Sequence, residues 1–179
     1  MPVPWIDPVR KSNTLTVYNG IEEGSWAGVF KYLTQNFHAI THKLVKIVEE
    51  TDMDKANVVL QLSDGDSTYT YDGTPGRAVL VGTKHGATKP FQRDGKMEKA
   101  ASFLPRNPED ANINYLRFIA LHEMLHASGF TLNSEHSNSG LFASPVTMQF
   151  GKVTSSAQFK SMPPFYLADK TKAALGSIW

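Results

Sequence analysis

The sequence predicts an α+β domain, and three observations lead there. Two segments, about 25–43 and 111–128, carry apolar residues at helical spacing. Four short apolar runs, 15–18, 45–48, 58–62 and 78–81, are bounded by turn residues and read as strands. The resulting order of strand, helix, strands, helix, loops and helix calls for a mixed sheet with two long helices and a small loop-rich C-terminal part.

Each element has its own justification. Residues 1–13 hold three prolines and read as an extended arm. Leu15 to Tyr18 ends at Asn19-Gly20, a turn signal that closes a short strand. Ser25 suits a helix N-cap, and Trp26, Val29, Phe30, Leu33, Phe37, Ile40 and Leu44 follow at helical intervals. Ser63-Asp64-Gly65-Asp66 terminates the 58–62 run, and Gly76 and Gly82 bracket the run Ala78 to Val81. Residues 83–110 read as irregular, with a short helix around Met97 to Phe103. The second long helix takes Asp110 as its cap and stops at Gly129, as glycine does just past a helix end. A final short helix falls near Tyr166 to Ala174.

Composition narrows the function classes. The chain has 179 residues, one domain's worth, with an upper subdomain over about 14–129 and a lower one over about 130–179. Eighteen Lys and Arg against 17 Asp and Glu leave a net charge of +1, which argues against a nucleic-acid partner or a polybasic membrane contact. There is no cysteine, so disulfides, thiolate metal sites and cysteine nucleophiles are excluded. No apolar run approaches a membrane span. The N-terminus has no basic region followed by an apolar stretch, so no signal peptide is expected, and both secreted and cytoplasmic locations stay open.

The chemistry is carried by His122-Glu123-Met124-Leu125-His126 in the second helix. Two histidines four apart stand one above the other on a helix face, where their imidazoles take two corners of a tetrahedral zinc. Glu123, one step round, reaches a water on the metal, the arrangement of zinc peptidases. Zinc polarises the scissile carbonyl and makes the water acidic, and the glutamate takes its proton and passes it on. Gly129 marks a sharp turn three residues after His126, and a third histidine, His136, lies in the loop beyond.

The segment from His122 to Gly129 resembles the metzincin clan of zinc metallopeptidases. His136-Ser137 is similar to the third ligand and following serine of its matrixin branch, and Val146-Thr147-Met148 looks like the clan's methionine turn. The resemblance implies a zincin fold with a twisted mixed sheet, one catalytic zinc on His122, His126 and His136, Glu123 as general base, and Met148 supporting the metal from below. It departs from the clan at Leu132, which occupies the usual third-ligand position six residues after His126, whereas His136 comes ten after. Met148 is followed by Gln149-Phe150 rather than by the frequent x-Pro.

Counting tests other zinc families. After His126 the acidic residues are Glu135 and Asp169. Neither suits a thermolysin-like glutamate ligand on a later helix, and a deformylase would need cysteine. His136 is left as the preferred third ligand, with Glu135 as the alternative.

Weaker signals receive plainer readings. His38 and His42 lie four apart but have no glutamate at the required place, and His85 sits in a Gly/Lys loop. Asp64, Asp66 and Asp72 invite a structural calcium, yet Tyr69 stands where an EF-hand loop needs glycine, so turns are expected. Tyr166 is read as core packing, with an oxyanion-donor role as the alternative. Lys84 to Lys99 holds five basic residues against two acidic ones, read as a solvated stretch, with a cleft rim favouring acidic substrates as the alternative.

The reading is a monomeric zinc endopeptidase acting on protein or peptide substrates. The alternatives are a non-catalytic, zinc-stabilised binding or virion-type structural protein, and a zinc hydrolase of a non-peptide amide. Glu123 weighs against a structural site, which needs no base and prefers four protein ligands.

Overall fold

The computed structural model describes residues 2–80, 85–130, 142–143, 166–167 and 169–179. Its centre is a five-stranded sheet of strands β1 (Thr14–Gly20), β2 (Lys46–Glu49), β3 (Val58–Ser63), β6 (Ala87–Arg93) and β7 (Lys96–Pro105). The strand order is β2-β1-β3-β7-β6. The first four are mutually parallel, and β6 pairs antiparallel with β7 as an edge strand. Strands β4 (Asp66–Tyr71) and β5 (Thr74–Val79) form a separate hairpin. The chain is therefore α+β with a mixed sheet, as expected from the sequence.

The helices are α1 (Asp7–Ser12), α2 (Val29–Ile40), α3 (Ile113–Ala127) and α4 (Asp169–Gly176). Strands β8 (Phe142–Ala143) and β9 (Tyr166–Leu167) form a short antiparallel pair. Among the described residues, no helix is long and apolar enough to cross a membrane.

Strand periodicity sorts the two faces of β7. Ala100 and Leu104 join the main core with α2 and α3, whereas Ala101 and Phe103 join a second cluster with Ala78, Leu80 and Phe91. Tyr69 and Tyr71 of the hairpin pack edge-on against Phe91 on that second side. Lys99 is 2% exposed there, its ammonium donating to the carbonyls of Met53 and Asp54 at 2.7 and 3.1 Å and lying 5.8 Å from both tyrosine ring centres. Burial holds its pKa below the usual lysine value.

Several expectations are corrected. The segment 83–110 is not irregular and holds no helix at 97–103: it contains the β6–β7 hairpin, turned at Asp94-Gly95 with φ of 52° and 74°. Strand β7 is a nearly continuous buried run because both of its faces are covered, so the alternation that would distinguish it from a helix is lost. The extended arm contains helix α1, with Pro8 in its first turn and Asn13 as its left-handed C-cap. Ser25 caps nothing: Gly24–Trp26 is a 3-10 turn, and α2 starts after Gly28. The cap of α3 is Asn112, not Asp110, its side-chain oxygen accepting from the backbone N–H groups of Asn114 and Tyr115 at 3.0 and 3.4 Å.

Helix α3 carries His122, Glu123 and His126. Its side chains are buried almost all round, including Leu116, Ile119, Ala120, Leu121, Met124 and Leu125. Both ends of the chain close on its C-terminus. The Trp5 indole donates to the Ala127 carbonyl at 2.9 Å, Trp179 to Ser128 at 2.8 Å, and the Val3 backbone N–H to Gly129 at 2.8 Å. These bonds satisfy carbonyls that a helix end leaves without partners.

Candidate metal centre

The end of α3 is a Schellman turn. The Gly129 N–H bonds to the His126 carbonyl at 3.1 Å and the Phe130 N–H to the Leu125 carbonyl at 3.3 Å. Gly129 has φ of 128°, and a Cβ there would stand 2.4 Å from Ile178 Cδ1 and 2.7 Å from the Val3 carbonyl. Only glycine fits on both counts. The turn brings the Phe130 carbonyl back against the helix, where it accepts a hydrogen bond from His126 Nδ1. That bond fixes the tautomer with the proton on Nδ1 and makes Nε2, which faces His122 Nε2, the acceptor nitrogen of the ring.

His122 and His126 lie one helical turn apart, with ring centres 4.8 Å apart and Nε2 atoms 3.1 Å apart. A tetrahedral zinc about 2.0–2.1 Å from each nitrogen requires a separation of roughly 3.3 Å. The pair therefore fits zinc with little adjustment. His126 is 6% exposed, whereas His122 is half-buried.

Glu123 turns one step round the helix, toward the β6–β7 edge of the sheet, and is 2% exposed. The Thr88 hydroxyl lies 2.7 Å from Glu123 Oε2, 3.2 Å from the Glu123 backbone carbonyl and 2.8 Å from Ser102 Oγ. Burial pushes the Glu123 carboxyl up to about 8, and the Thr88 hydrogen bond acts in the opposite sense. Gly86 leaves room for this packing, since a Cβ there would meet Glu123 Cγ at 2.6 Å and the Phe103 carbonyl at 2.7 Å.

Of the other predicted site residues, His136, Met148 and Glu135 lie outside the described residues. Tyr166 falls in β9, opposite Ala143. Among the described residues, no group of three or more His, Asp or Glu side chains is gathered in a way that could hold a metal.

The weaker signals resolve into local structure. His42 lies beyond α2 with φ of 53°, and His38 Nε2 lies 3.2 Å from the Lys43 carbonyl. His85 is exposed. Asp64, Asp66 and Asp72 each face an arginine, Arg106, Arg77 and Arg93 respectively. In the basic stretch, Arg93 also approaches Glu98, Lys96 pairs with Asp7 at 2.9 Å, and Lys99 is buried. Much of its charge is thus engaged within the fold.

Sequence reasoning did not find Thr88, Ser102 or the Phe130 carbonyl. Asp94-Gly95 was the signal that Thr88 and Ser102 lie on paired strands, but the turn alone would set Thr88 opposite Ala101, and the irregularity between Phe91 and Gln92 shifts it to Ser102. The Phe130 carbonyl is backbone, and its placement depends on the turn at Gly129. In comparisons with known proteins, no family model and no curated protein matches the chain.

Proposed function

We propose that the chain is a zinc-dependent endopeptidase with a metzincin-like build. The observation that carries this reading is the histidine pair on α3, with Nε2 atoms 3.1 Å apart and His126 held from behind by the Phe130 carbonyl. His122 and His126 would hold the metal, with His136 as the third ligand and Met148 as support, as the resemblance of 122–150 to that clan implies. Bound zinc supplies Lewis acidity toward the peptide carbonyl and lowers the pKa of water.

The protein's own groups do the rest. Glu123 accepts a proton from the attacking water and delivers it to the departing amine. The antiparallel edge strand β6 offers backbone groups to an extended peptide beside this centre. Covering Glu123 keeps its carboxyl from full hydration, so its basicity lies closer to neutrality than that of an exposed glutamate.

The test is digestion of a broad peptide library by the zinc-loaded chain and by Glu123→Gln. Cleavage by the parent, with turnover at least about 10²-fold lower in the variant at equal zinc content, supports the reading. Zinc retention without any peptide cleavage would overturn it and favour a zinc-stabilised binding protein.

A further inference from the structure

We propose that Thr88 is the positioning residue for Glu123, acting with Ser102 as a two-hydroxyl brace between sheet and helix. This rests on the peptidase reading for its catalytic consequence, but its structural content stands apart. Thr88 and Ser102 are register partners across β6 and β7, and both point to the α3 side of the sheet. Among the described residues, Thr88 supplies the hydrogen bond to the Glu123 side chain.

Hydrogen-bond counting gives the brace a direction. An ionised carboxylate accepts only, and a threonine hydroxyl has a single proton. In the ionised form that the base role requires, Thr88 donates to Oε2 at 2.7 Å, its nearer acceptor, the Glu123 backbone carbonyl lying at 3.2 Å. Ser102, which is fully buried, then donates to Thr88 at 2.8 Å. Thr88 is β-branched and stiff at χ1, so the strand backbone fixes where its oxygen stands. A glutamate has three rotatable bonds and packs here against Gly86, which offers no side chain to hold it. The brace pins Oε2 and reserves the other oxygen for the proton transfer.

The experiment compares the parent with Thr88→Val, Thr88→Ser and Ser102→Ala. High-resolution crystal structures read the Glu123 rotamer, and steady-state kinetics on a peptide cleaved by the parent read kcat and KM at equal zinc content. Glu123 is expected in one rotamer in the parent and Thr88→Ser, and in a shifted or divided position in Thr88→Val. Thr88→Val should lower kcat roughly 10- to 100-fold with KM little changed, the cost of a misplaced group rather than of lost binding. Thr88→Ser should recover most of that loss, and Ser102→Ala should show a smaller loss of the same kind. If Thr88→Val does not fold, Ser102→Ala decides by the same two readings. An unchanged Glu123 rotamer, a parental kcat, or a loss that serine does not recover would each overturn the proposal. If the parent cleaves no peptide, the peptidase reading fails, and the rotamer comparison alone decides the brace.

Discussion

His126 Nδ1 donates to the carbonyl oxygen of Phe130, four residues further along the chain and on the far side of the Gly129 turn. The turn that ends the helix therefore also orients one of its two candidate ligands. Replacing Gly129 by alanine puts a Cβ against Ile178 and the Val3 carbonyl and forces a backbone of φ 128° on a residue that resists it. Gly129→Ala is expected to cost at least about 1–3 kcal/mol of stability. Loss of the Phe130 contact should also weaken zinc binding about 10- to 100-fold, as removal of an outer-shell partner does. Denaturant melts and a zinc titration check both effects.

Burial of Glu123 makes the stability of the metal-free chain depend on pH. Its carboxyl titrates near 8 in the folded chain, against an ordinary value of 4.5. Between those values the unfolded chain releases the proton while the folded chain keeps it. The folded state binds more protons, so stability falls as pH rises through this window and levels off above it. The folded chain is favoured most below the ordinary value. The contribution lost across the window is roughly 2–5 kcal/mol. Urea melts of the chelated parent and Glu123→Gln at pH 5, 6.5 and 8 should show the two stabilities drawing apart, the parent losing ground to the variant as pH rises. Curves with a constant separation would contradict the assignment.

The third ligand separates the two residues that the sequence leaves open. A neutral imidazole from His136 leaves the site with charge +2, which favours acidifying a bound water, whereas a Glu135 carboxylate would lower that to +1. His136→Ala is expected to weaken zinc binding strongly, and Glu135→Ala to leave it nearly unchanged. A competitive chelator titration of both variants reads the difference. If Glu135→Ala is the one that loses metal, the comparison with metzincins fails at this position.

How far the sequence reveals the fold depends on where each signal comes from. Strands β1, β2 and β3 and helix α3 are legible because their apolar runs are local, and Gly129 marks the helix end, whereas β1 continues through the expected turn at Asn19-Gly20 and α3 is capped by Asn112 rather than Asp110. Strand β7 was misread because tertiary cover on both faces erased its period, although Asp94-Gly95 marked the hairpin that contains it. Helix α2 was drawn too long because the 3-10 turn at Gly24–Trp26 continues the helical spacing of apolar residues while breaking the backbone. In the candidate site, the placing of His122, Glu123 and His126 on one helix follows from spacing alone. Thr88 does not, because its role arises from strand pairing with Ser102 and from docking of α3, both long-range events.

The central claim is that the α3 histidine pair is a zinc centre, and zinc titration of the parent, His122→Ala, His126→Ala and Glu123→Gln tests it most directly. The account predicts one zinc bound by the parent and by Glu123→Gln, with binding lost or severely weakened in both histidine variants and a lower Tm where metal is lost. Undiminished zinc in His122→Ala and His126→Ala would contradict it.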